Sequence, residues 1–94
     1  MTLNDLRNQH EAAWQRLSGI VSQRTDLLKQ LGQMANYAGD FSPATGMFME
    51  FDIDKARDLL ARLEDMTPVI YYAIDELNSY AKQIGKPRIE RRKL

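Results

Sequence analysis

The chain has 94 residues, no cysteine, one histidine, and thirteen basic against thirteen acidic side chains. These figures exclude a disulfide framework and a thiolate metal site, give no global excess of positive charge for wrapping a nucleic acid, and hold the chain to one small domain with a modest core. No apolar run of about eighteen residues is present, and the opening MTLNDLRNQHEAAW lacks the charged and then apolar segments of a secretion signal, so a cytoplasmic protein that does not engage a membrane is expected.

Core-type positions recur with alternating spacings of three and four at Leu3, Leu6, His10, Ala13, Leu17, Ile20, Arg24, Leu27, Leu31, Met34 and Ala38. That period predicts one long amphipathic helix from about residue 4 to 37, roughly 50 Å long at the α-helical rise. Trp14, Val21, Leu28 and Ala35, seven residues apart, widen its apolar stripe on one flank. Gly19 and Gly32 weaken the helix by about 1 kcal/mol each relative to alanine, unless a close helix approach requires them. Gly39 is the expected stop, and residues 39–51 have the glycine, proline and Asx chemistry of a loop.

That loop is unusually apolar. Phe41, Met47, Phe48, Met49 and Phe51 stand where most connections are polar. They read either as a plug closing the end of a helix bundle or as an adaptable Met/Phe surface for capturing a partner, and they are the foremost candidate binding residues of the chain.

A second helix is predicted over about 53–84, opened by Asp52 or Asp54 as a cap. Its stripe comprises Ala56, Leu60, Leu63, Thr67, Ile70, Ile74, Leu77, Ala81 and Ile84, with Leu59, Met66, Ala73 and Tyr80 as a second row. Pro68 either kinks this helix or divides it at about 65–68, with Thr67 as a new cap. Gly85 and Pro87 form a stop, after which residues 86–94 make an exposed or partly ordered basic tail.

Two matched helices joined by a short loop pack antiparallel, with facing residue numbers that total roughly 90. One hairpin covers one stripe of each helix, yet Val69-Ile70-Tyr71-Tyr72-Ala73-Ile74 is apolar or aromatic around a full turn. The fold class is therefore all-α, a helical hairpin expected to dimerise into a four-helix bundle or intertwined homodimer. A three-helix monomer folded back at Pro68 is the competing arrangement.

Two polar residues interrupt the seam. Arg24 faces the neighbourhood of residues 64–67, where it either bonds to the joint at Pro68 and sets register or turns its guanidinium out to solvent. His10 reads as a hydrogen-bonded structural histidine, with a pH-responsive role as the alternative. A lone imidazole without cysteine is a poor metal ligand, and neither a metal nor a cofactor is expected. Trp14 and the tyrosines at 37, 71, 72 and 80 suit a core or an interface, with Tyr71 and Tyr72 joining the loop as candidate partner contacts.

Charge is segregated along the chain. Residues 1–39 carry four basic and three acidic side chains, residues 40–81 three and nine, and residues 82–94 six and one. Lys86, Arg88, Arg91, Arg92 and Lys93 in the tail are able to touch phosphates or to dock on an acidic helix. Without interleaved aromatics, nucleic acid is the less favoured partner.

No serine, cysteine or metal route to catalysis is present, and no phosphate-binding glycine loop. Leu6-Arg7, Gln23-Arg24 and Gly32 on the first helix, with DIDKARDLLARL at 52–63, resemble parts of the all-helical chorismate mutase family, whose members form intertwined helical dimers. The resemblance implies a dicarboxylate site in which Arg7 and Arg24 match the first-helix arginines and Lys55 supplies a further cation. Ala35 stands in place of the family's lysine, and Lys55-Ala56 in place of its arginine-glutamate pair, which removes complementarity to the rearranging substrate. The leading expectation is a non-catalytic helical module of bacterial or phage type, acting as adaptor, assembly factor, regulator or inhibitor of a partner protein. A mutase-like enzyme or its inactive relative, and a nucleic-acid accessory protein, are the alternatives.

Overall fold

A computed structural model of the chain describes residues 2–37 and 41–93. Two long helices, α1 (Leu3–Tyr37) and α2 (Ile53–Ile84), lie antiparallel in a rod of 68 × 21 × 20 Å. The expected all-α hairpin is thus the observed one. Between the helices, β1 (Phe41–Ser42) and β2 (Met47–Phe48) pair antiparallel, with Phe41 opposite Phe48 and Ser42 opposite Met47. This small ladder was not predicted. It closes through Pro43-Ala44-Thr45-Gly46, where Gly46 adopts a φ of 71° that a side chain would strain. Gly39, the expected stop of α1, lies outside the described residues, as do the side chains of Tyr37 and Phe41.

Local chemistry explains the helix boundaries. Thr2 caps α1, its hydroxyl accepting from the Asp5 N–H at 3.2 Å while the Asp5 carboxylate accepts from the Thr2 N–H at 3.2 Å, so α1 begins slightly ahead of the expected start. Asp52 caps α2, accepting from the Lys55 N–H at 3.0 Å. Gly85 ends α2 in the left-handed region at φ 73°, and the Lys86 N–H donates to the Ala81 carbonyl at 2.9 Å.

Pro68 does not divide α2, which continues through it as one helix. The three-helix arrangement is thereby excluded. Glu64 and Pro68 are both exposed, so the carbonyl that lacks its usual donor lies on the solvent-facing side of the rod, within reach of water. Thr67 is not a cap; its hydroxyl donates back to the Leu63 carbonyl at 2.9 Å.

The best-buried cluster comprises Ala13 and Leu17 of α1 with Ala73, Ile74 and Leu77 of α2, and Ile20, Val21, Ile70, Tyr80 and Ile89 pack against it. Small alanines in the seam let the two backbones approach, and leucines fill the space between them. Toward the loop, the α2 seam passes through Ala56 and Leu59, both buried, whereas Leu60 is 55% exposed. The predicted stripe therefore needs correction there, since Ala56, Leu59, Leu63, Met66 and Ile70 keep the alternation of three and four that faces α1, while Ile74, Leu77 and Ala81 of the predicted stripe are buried as expected. Gly19 and Gly32 have open space where a side chain would stand, so packing within the hairpin does not require either.

Candidate functional site

The loop end carries the most concentrated apolar exposure of the described surface. Met47 and Phe48 on β2 are each 58% exposed, Met49 is 45% and Phe51 41% exposed. The ladder explains this arrangement. Pairing fixes the β2 backbone beyond the helix ends, where no third helix among the described residues covers its side chains. Met49, Phe51, Glu50 and Lys55 border a cleft of about 550 Å³ against Gln30, Gln33 and Met34 of α1. The four described Met/Phe side chains leave this end open rather than plugged.

The second feature lies at the other half of the rod, where the basic tail packs against the helices. Beyond Gly85, residues 86–93 turn back along α2. The Asn78 carboxamide bonds both main-chain groups of Ile89, accepting from its N–H at 2.8 Å and donating to its carbonyl at 2.9 Å. The Ile89 side chain packs on the core cluster, and the Arg91 guanidinium sits 4.1 Å from the centre of the Tyr71 ring. Between tail and helices is a cleft of about 710 Å³, lined by Val21, Arg24, Thr67, Ile70, Tyr71 and Ile74 on the helices and by residues 90–93 on the tail. The tail is thus seated, although its cations Lys86, Arg88, Arg91, Arg92 and Lys93 are themselves exposed. Arg92 pairs with Glu90 at 2.7 Å.

Arg24 does not bond to the joint at Pro68. It is exposed, has no hydrogen bond or ion pair among the described residues, and lines the cleft under the tail. The charged contact between the helices is instead Arg16 with Glu76, which marks a facing register close to the predicted one, with Arg24 level with Thr67 and Pro68. The other helical pairs, Arg57–Asp54 at 3.8 Å and Arg62–Asp58 at 3.1 Å, run along exposed α2 and contribute little. His10 is half-buried and lacks the hydrogen-bond partner expected of a structural histidine, among the described residues. Trp14 is 45% exposed, so within one chain it is not a core residue. Tyr71 is partly covered by Arg91, while the next residue, Tyr72, stands 73% exposed.

The cations implied by the mutase resemblance do not converge in one chain. Arg7 and Arg24 are about 25 Å apart along α1 at the helical rise, and Arg24 and Lys55 line two different clefts. Among the described residues no group of three acidic or histidine side chains is placed to hold a metal ion, and no helix is long and apolar enough to cross a membrane. Comparison with family models, curated proteins and solved structures finds no match to this chain.

Asn78 is the residue holding the tail that sequence reasoning missed. A polar side chain nearly two turns from the end of an amphipathic helix looks solvated, and only the fold-back shows what it holds. The available signal was Ile89, an isolated β-branched residue amid charges in PRIERRKL, which needs an apolar seat.

Proposed function

We propose that the chain is a small non-catalytic helical module that binds a partner protein through Met47, Phe48, Met49 and Phe51, and that it pairs with a second copy as a four-helix or intertwined dimer. The observation that carries the binding role is the exposure of those four side chains together at one end of the rod. Thioether and phenyl groups supply large, deformable contact area, and truncating anchors of this type typically costs an interface about 2 kcal/mol or more each. Pairing is supported by the exposed Trp14, Leu28 and Leu60, apolar groups that one hairpin does not cover.

The test is capture of a protein partner from the source cell by the wild-type chain, with Phe48→Ser/Met49→Ser alongside. The double variant is expected to keep its helical circular dichroism and lose the partner at least tenfold, while Ser18→Ala, far from the loop, retains it. Capture unchanged by the double variant rules the loop out. Incubation with chorismate is expected to leave its ultraviolet absorbance unchanged, since Arg24 and Lys55 line different clefts and Arg7 lies about 25 Å from Arg24 along α1.

A further inference from the structure

The tail is seated without spending its charge. Ile89 fixes it through two neutral hydrogen bonds to Asn78 and an apolar contact with the core cluster, and Arg91 rests over the Tyr71 ring. α2 belongs to the acidic stretch of the chain, yet none of its residues that line the cleft under the tail, Thr67, Ile70, Tyr71 and Ile74, is acidic. The tail therefore does not dock on the acids of α2, one of the two roles expected of its cations. Four cations, Arg24 of α1 with Arg91, Arg92 and Lys93 of the tail, line this cleft against one carboxylate, Glu90, which already pairs with Arg92. Arg24, Arg91 and Lys93 have no carboxylate partner among the described residues, whereas Arg16, Arg57 and Arg62 elsewhere on the helices each have one. Like charges crowded together without a counter-charge repel, and an anion in the cleft relieves them.

The cleft also has a direction. The Arg16–Glu76 pair marks a register in which Arg24 is level with Thr67 and Pro68, and the tail runs from Ile89 at Asn78 to Arg91 at Tyr71, so that Arg92 and Lys93 continue toward the Thr67 end. Spare positive charge gathers there. Val21, Ile70 and Ile74 give the remainder an aliphatic floor that leads toward the cluster on which Ile89 packs. From Thr67 to Ile74 the floor is about 10 Å long at the helical rise. The volume of about 710 Å³ falls within the roughly 300–1,000 Å³ of small-molecule sites.

We infer that this cleft binds a free organic anion of the fatty-acid type, its carboxylate held by Arg24 and Lys93 and its chain laid on Val21, Ile70 and Ile74. A guanidinium holds a carboxylate through paired N–H donors and an ammonium as a point charge, and the aliphatic chain gains by leaving water. A chain of medium length suits the floor. An extended peptide or a nucleic-acid strand would overrun it within a few units. The site is separate from the loop end and depends neither on the loop nor on pairing.

The test is titration of the full-length chain, isotopically labelled for amide spectra, with decanoate kept below its micelle threshold. Saturable one-to-one binding is expected, with shifts concentrated at Val21, Arg24, Ile70, Tyr71 and Ile74 and not at residues 47–51. Decanol and decyltrimethylammonium keep the chain and change the head, while acetate keeps the head and drops the chain. Each is expected to bind at least about tenfold more weakly than decanoate. Arg24→Gln/Lys93→Gln, at two exposed side chains that hold no other group, is expected to weaken decanoate about tenfold. Glu90→Gln is expected to tighten it, since it removes the one carboxylate of the lining. No saturable binding of decanoate overturns the inference, and so does equal binding of decanol or decyltrimethylammonium, which marks an apolar surface alone. Acetate binding as tightly as decanoate, decanoate affinity unchanged in the double variant, or weaker affinity in Glu90→Gln has the same consequence. Attachment to anionic phospholipid vesicles without binding of the monomeric acid also overturns it, by assigning the cations to a lipid surface.

Discussion

Both halves of the hairpin are written in the same alternation of three and four residues, but they finish differently. In the half near the chain termini, α1 and α2 meet over Ala13, Leu17, Ala73 and Leu77, and the tail adds a third layer through Ile89. In the loop half no third layer is found among the described residues, and Ala56 and Leu59 are buried there while Leu60, Met47, Phe48, Met49 and Phe51 stay exposed. Two helices alone bury one stripe each. The difference teaches that completeness of burial here depends on whether a further segment lies across the groove, and less on the helical pattern itself.

The largest effect that sharpens this contrast is expected from paired truncations. Leu77 is 2% exposed, and Leu77→Ala removes apolar contact and leaves a cavity at a cost of about 3 kcal/mol. Below the concentration at which copies pair, Leu60→Ala should change stability by roughly 0.5 kcal/mol or less, as at other exposed positions. Denaturant unfolding measures both, and equal losses would break the contrast between the halves.

Next in size is the third layer. Asn78→Ala removes two hydrogen bonds to Ile89 and is expected to cost about 1–2 kcal/mol. It should also raise the hydrogen-exchange rate at the Ile89 amide while amides around Leu59 keep theirs. Unchanged exchange at Ile89 would mean that the tail is not seated.

Smaller again is the cap of α2. Asp52→Ala is expected to cost about 1 kcal/mol, because the Lys55 N–H loses its acceptor. The smallest effect belongs to Arg16 and Glu76, whose side chains are partly exposed. A double-mutant cycle there is expected to give a coupling of about 0.2–1 kcal/mol, and a larger value would make this pair, rather than the apolar seam, the determinant of register.

Much of this architecture was legible in the residues. The alternation from Leu6 to Met34 and from Ala56 to Ile84, the stop at Gly85 and the cap at Asp52 all follow from local chemistry that does not depend on distant contacts. The choice between Leu59 and Leu60 was not legible, because both sit on an apolar arc and only the facing of α1 decides which is covered. Arg24 occupies a seam position by number yet is exposed, since the groove beside it is open enough for a long side chain to leave. The tail was the least legible part. Its charges suggested a solvated segment, and its seating depends on one isoleucine and one asparagine eleven residues apart. At the candidate site, the composition of the loop identified the apolar residues, while their exposure followed from a ladder of two residues per strand that no periodicity announces.

The openness of the loop end is tested most directly by timed peroxide oxidation of the purified full-length chain, with each methionine followed by mass spectrometry. Met47 and Met49 are exposed, whereas Met34 and Met66 are half-buried in the same molecule and serve as internal references. The account predicts that Met47 and Met49 become sulfoxides several-fold faster than Met34 and Met66. Rates at Met47 and Met49 equal to or slower than the references would show that end already covered, and would contradict an open surface for a partner.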